Sequence, residues 1–268
     1  MASSVALVSR LSPAQQTAFF EASDRVLGRD RTAGGIGTLC EKTTHAILKY
    51  YYSPDASCHE IPVSGYIADI FTGSEIFEIQ TSGFHLLRKK IEQYPDSIPV
   101  TVVCPVVHMK WLAWIDPVTG EEISNRRSPK IGQAQQCFKE LYRIRAYLMR
   151  PNLSIRIALL DVQEYRLLDG WNRDRKRGSH RLERIPLQFY DEICLETPDD
   201  YRQLLPETLP EIFTAKEYSA CAKISLSTAQ TGLLLLFELG LVDRIGNAEI
   251  LIYTRFGKTH KFPQRIFE

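Results

Sequence analysis

Residues 68–80, ADIFTGSEIFEIQ, hold two short apolar runs around a turn, and each run carries one acid, Asp69 and Glu78. Gly73-Ser74 fits a two-residue hairpin loop with Gly at its first central position. That loop sets Thr72 opposite Glu75, Phe71 opposite Ile76, Ile70 opposite Phe77, and Asp69 directly opposite Glu78. Strand alternation gathers Ala68, Ile70, Phe77 and Ile79 on one face, the expected core, with Ile67, Asp69, Phe71, Ile76, Glu78 and Gln80 on the other. Opposed residues have Cβ atoms about 4.5–5.5 Å apart, where like charges destabilise. Two carboxylates so placed need a shared proton or a shared cation. A three- or four-residue loop would instead shift the register and leave both acids on a solvated edge.

The rest of the chain narrows the setting. Its 268 residues suffice for one large domain or two modest ones, with the apolar and charged content (44% and 24%) of a soluble globular protein. A net charge of +1 gives no strong global pull on a polyanion and leaves only local patches to do so. Cys40, Cys58, Cys104, Cys137, Cys194 and Cys221 are scattered, which argues against a disulfide scaffold and for reduced thiols in a cytoplasmic protein. No apolar run is long enough to span a membrane, and the start lacks the features of a signal peptide.

Periodicity predicts helices over about 13–27, 35–52 and 133–149, and another after Ser82-Gly83 with Phe84, Leu87 and Ile91 inward. Strands are expected over 58–63, in the 65–80 hairpin, and at 98–107, 110–116 and 153–162. The fold class is therefore α/β, a mixed sheet flanked by helices. Residues 198–210 contain three prolines and read as a linker. Beyond it come a short helix near 214–222, an N-cap at Ser225, a helix over 226–239 and two strands joined at Gly246-Asn247.

With Glu41 on the preceding helix, Asp69 on one strand, Glu78-Ile79-Gln80 on the next and a helix after Ser82, residues 35–115 resemble the core of the PD-(D/E)XK (restriction-endonuclease-like) nuclease superfamily. The resemblance implies a Mg²⁺- or Mn²⁺-dependent deoxyribonuclease. Asp69 and Glu78 would be its metal ligands, and Glu41, Asp69, Glu78 and Gln80 its catalytic set. The carbonyl of Ile79 is a candidate third ligand. Gln80 stands where the family has Lys, so it could orient water but brings no charge; Lys42, Arg88 or Lys90 could supply that charge from a neighbouring helix. Outside such a site, Asp69 and Glu78 would be edge-strand charges, and Glu41 with His45 a surface pair one helical turn apart.

The C-terminal order of helix, turn, helix and hairpin resembles a winged helix-turn-helix, which implies DNA contact through the second helix. Gln230 and Thr228 are its candidate base-contacting residues, with Arg244 and Arg255 on the wing. That helix has no Arg or Lys and a run LLLLFEL, so a protein-binding or dimerising module is the other reading. Residues 166–184 carry seven Arg or Lys against three acids, and Arg175, Lys176, Arg177 and Arg181 are phosphate-contact candidates, or else a solvated loop. The expected organisation is an N-terminal helical extension (1–34), a nuclease-like domain (35–197), the linker (198–210) and a winged helix domain (211–268). DNA is the expected partner and no membrane is. The rivals are an inactive DNA-binding regulator and an interaction protein that homodimerises through the C-terminal module.

Overall fold

The computed structural model describes residues 9–30, 42–169, 178–245 and 252–254. Its centre is a mixed seven-stranded sheet in the order β1-β2-β3-β4-β6-β7, with β5 paired to β4. The strands are β1 His59–Val63, β2 Tyr66–Phe71, β3 Ile76–Ile79, β4 Val100–Ile115, β5 Glu122–Arg127, β6 Leu153–Leu167 and β7 His180–Leu195. β4 runs parallel to β3 and β6, and the other pairs are antiparallel.

Helices cover both faces. α1 (Pro13–Asp30) and α2 (Lys42–Tyr52) pack on Phe77, Ile79, Val103, Leu160 and Phe189. α3 (Leu87–Gln93) and α4 (Phe138–Arg143) pack on Ile76, Val102, Cys104 and Ile157. β3 is therefore interior on both faces, and all four of its residues are buried. The sequence predicts a single core face for the hairpin, and the second one places Glu78 inside the protein.

The hairpin has its expected register, with Ile70 opposite Phe77 and Phe71 opposite Ile76. Thr72 donates its N–H to the Glu75 carbonyl at 3.0 Å, and Gly73 takes the left-handed φ of 90° that favours glycine in such a loop.

Four expectations change. The strands at 98–107 and 110–116 are one strand, β4, with a register shift between Val107 and Lys110. A bulge there lets His108 and Met109 interrupt the pattern without ending the strand. The helix at 133–149 breaks into α4 between two short 3-10 turns. The 198–210 stretch is no exposed linker: Pro198–Leu204 is a 3-10 segment, and Tyr201, Leu204, Leu205 and Leu209 are buried. Cys104 and Cys137, far apart in sequence, form a disulfide, against the expectation of scattered thiols.

After that segment come β8 (Ile212–Thr214), α5 (Ala215–Cys221), α6 (Leu226–Glu238), β9 (Asp243–Ile245) and β10 (Ile252–Thr254), with a small sheet β8-β10-β9. Ser225 caps α6 by accepting from the Thr228 N–H. The Gly246-Asn247 turn lies outside the described residues. α6 sits against α4 so closely that a Cβ on Gly232 would lie 2.3 Å from the Phe138 ring. One continuous core joins the two parts of the chain. Among the described residues no single helix is long and apolar enough to cross a membrane.

Candidate active site

The site is built where β2, β3, α2 and α3 meet. The β2–β3 pairing ends at Ile70 opposite Phe77, and Asp69 and Glu78 are the next residues on their strands. The Asp69 Oδ2 atom accepts from the Ile79 N–H at 2.8 Å and lies 3.0 Å from His45 Nε2 on α2. Glu78, 1% exposed, takes its partners from α3 and its C-terminal end: Lys90 Nζ donates to Oε2 at 2.7 Å and the Tyr94 hydroxyl to Oε1 at 2.5 Å. Lys90 also donates to the Ile67 carbonyl on β2 at 2.8 Å, so its ammonium bridges the two strands. Each acid also has a partner of its own, His45 for Asp69 and Lys90 for Glu78.

Environment pulls the two carboxyls apart. Burial pushes Glu78 up, and the charge of Asp69 adds to that, against the opposing pull of Lys90 and Tyr94. Burial acts on Asp69 in the same sense, but the hydrogen bond and charge of His45 and the Ile79 N–H outweigh it and hold the group below its ordinary value. Asp69 is thus the ionised member and Glu78 the one closer to carrying a proton. Beside them, Glu60 on β1 adopts a left-handed φ of 57° and pairs with Lys49 at 2.8 Å. A non-glycine residue held there stores backbone strain, which gathers at functional sites.

The other candidates sort themselves out. Gln80 turns its amide to the Ser82 carbonyl at 2.5 Å. Glu41 lies outside the described residues, as do Arg175, Lys176, Arg177, Arg255 and the Lys42 side chain. Arg88 is held by the Arg143 carbonyl at 2.7 Å, so of the three cations considered, Lys90 is seen to reach the acids. Arg181 stands on β7 at the rim of a cleft. Thr228 is buried in the α6 cap, whereas Gln230 is exposed. Arg244 lies over the Phe237 ring at 4.3 Å. The role of His45 went unseen in sequence. Its only signal was a place one turn from Glu41 on the helix preceding β2.

A family model described as a domain of unknown function, DUF8091, matches residues 42–196. The chain belongs to this family. The matched span runs from α2 through β7 and contains Asp69, Glu78 and Lys90. The chain is also similar to an uncharacterized protein of Treponema pallidum (strain Nichols), 30% identical over 179 residues, which is 66% of this chain and 71% of that one. No solved structure matches it.

The oxygen donors here are of the kind a hard divalent cation takes. Mg²⁺ commonly uses one or two carboxylates and keeps several waters. Both hydrogen bonds of Asp69 fall on Oδ2, which leaves Oδ1 without one among the described residues, and the side chain is 20% exposed. Among the described residues no three His, Cys, Asp or Glu side chains form a metal-binding group. An ion here would rest on Asp69 and Glu78, with the Ile79 carbonyl nearby.

Proposed function

We propose that the protein is a divalent-metal-dependent DNA endonuclease of restriction-endonuclease-like type, acting in the cytoplasm, with Asp69, Glu78 and Lys90 at its centre. The observation that carries this reading is the Lys90 ammonium, 2.7 Å from Glu78 beside an opposed Asp69. The family pattern puts the lysine two residues after the acid, where this chain has Gln80. Here α3 brings a lysine to the same pair of acids from another direction.

A bound Mg²⁺ or Mn²⁺ would neutralise charge on the scissile phosphate and make its water more acidic. Asp69, kept ionised by His45, supplies the more anionic oxygen. Glu78, whose proton affinity burial raises, is the better proton acceptor of the two carboxyls. Lys90 holds Glu78 in place and offers a positive charge to a phosphate oxygen. Tyr94 fixes the other Glu78 oxygen.

The C-terminal strand-helix-helix-hairpin supports a winged helix that positions the substrate. Its second helix packs its Gly232 side on α4, which leaves Gln230 on an exposed position for contact. A second reading, DNA binding without cleavage, has one observation in its favour: the Gln80 amide is committed to Ser82. Incubating the purified protein with single-stranded, double-stranded and branched DNA plus Mg²⁺ or Mn²⁺ tests the choice. Cleavage that disappears in Lys90→Met and Asp69→Asn supports the nuclease, and binding without cleavage supports the regulator.

A further inference from the structure

A cleft of about 380 Å³ has Thr44, Thr81, Ser82, Glu140, Arg181 and Arg184 in its lining. β3 covers the start of β4 through Val103, and β5 pairs with β4 only from Trp111 onward. Among the described residues no strand pairs with the β4 edge between those residues; the Ser128 and Gly132 N–H groups donate to the Lys110 and His108 carbonyls there, and Cys104, Pro105, Val106 and Val107 line the cleft. One wall carries Thr44, the neighbour in sequence of the His45 that holds Asp69, and Thr81 and Ser82, which follow Gln80 in sequence. The other wall is β7, with Arg181 and Arg184.

Arg184 is fixed in place. Glu164 on β6, 1% exposed, accepts from Arg184 Nη2 at 2.7 Å, from Arg166 Nε at 2.8 Å and from Lys110 Nζ at 3.4 Å. One cation neutralises one carboxylate, so three leave a local excess of two positive charges. The side chains of Lys110, Arg166 and Arg184 are each between 26% and 29% exposed, so the excess reaches solvent. A rigidly held guanidinium in a cleft that also offers the hydroxyls of Thr44, Thr81 and Ser82 matches the phosphates of an extended backbone, with Glu140 the one carboxylate among the described residues of the lining.

The geometry points to a phosphate-binding track toward the Asp69–Glu78 centre: Arg181 and Arg184 of the cleft are backbone contacts for a DNA strand, and Arg166 and Lys110, joined to Arg184 through Glu164, extend them, with Glu164 as the positioning residue of those three. This rests on the nuclease reading for the identity of the strand, yet it is tested by binding alone. Fluorescence anisotropy with labelled DNA of about 20 nucleotides, single- and double-stranded, is measured across a salt series. The parent is compared with Arg181→Gln/Arg184→Gln and Lys110→Gln/Arg166→Gln, each of which leaves Glu164 at least one cation. Lys89→Gln/Lys216→Gln, outside the cleft, controls for the charge change, and circular dichroism melts verify folding.

Each cleft pair is expected to weaken binding about 10-fold or more at low salt and to lower the salt slope by about 2 on duplex, roughly 0.9 for each phosphate left unneutralised. The control pair should bind as the parent does. Parent-like affinity and slope in both cleft pairs would overturn the track, as would failure of the parent to bind DNA or tighter binding of an RNA of the same sequence. Loss of binding in the cleft pairs without any cleavage by the parent would sink the nuclease reading and keep the track. Asp69-dependent cleavage with unaltered binding in those pairs would do the reverse.

Discussion

Lys90 does two jobs that a single substitution can separate. It neutralises a carboxylate buried in β3, and it ties that strand to β2 through the Ile67 carbonyl. Lys90→Met leaves Glu78 with only the Tyr94 hydroxyl and should destabilise the fold by about 2 kcal/mol at pH 8, in the range for an unpaired buried polar group. Losing the ammonium raises the Glu78 proton affinity further. A carboxyl raised above its unfolded value costs stability as pH rises through the folded value, so the penalty should be smaller at pH 5 than at pH 8. Thermal melts at the two pH values check this, and a penalty equal at both would contradict the assignment. Glu164 has the opposite sign. Burial works against its ionised form, but Arg184 and Arg166 outweigh burial and bring it down to about 2. Its contribution is complete above the ordinary value of 4.5 and is lost as pH falls toward about 2. Glu164→Gln, which strands three cations, should cost about 3 kcal/mol at neutral pH by chemical denaturation.

At the level of elements, α6 depends on a missing side chain. Glycine inside a helix normally costs about 1 kcal/mol against alanine. At Gly232 an alanine would meet the Phe138 ring, so Gly232→Ala should destabilise by about 1–3 kcal/mol instead. Adding Phe138→Leu should recover part of that loss, as read from denaturation midpoints. The hairpin was legible because a two-residue turn fixes register, and register places Asp69 and Glu78. The long strands were not. β4 carries a bulge where polar His108 breaks the apolar run, and β7 begins inside a basic stretch that looks like a loop. The 198–210 segment misled through its prolines, although Tyr201, Leu204 and Leu205 between them are apolar and buried. Lys90 was one of three cations within sequence reach of the site. Only packing of α3 on β3 singles it out. His45 gave no signal of its own, because its partner lies 24 residues away.

Across the whole molecule, one core spans the sheet and the C-terminal helices. Phe138 and Leu141 of α4 share it with Leu233 and Leu236 of α6 and Phe213 of β8. Two independently folding domains would show two transitions, whereas a shared core melts as a unit. Calorimetry should therefore record a single transition, and a chain truncated after residue 210 should lose cooperative melting, since it exposes that apolar surface. The same coupling would carry any substrate contact made by the C-terminal part on a frame joined to the acid pair through that core.

The central claim is that the opposed acids and Lys90 form a hydrolytic centre. The direct measurement is cleavage of labelled DNA by the full-length protein with Mg²⁺, with Mn²⁺ and with EDTA, alongside Asp69→Asn. The account predicts cleavage with either ion, none with EDTA, and a loss of about 10–100-fold or more in the variant, since removing a partner that only orients a metal ligand already costs about 10–100-fold. DNA binding with no metal-dependent cleavage, or cleavage that Asp69→Asn leaves intact, would contradict it.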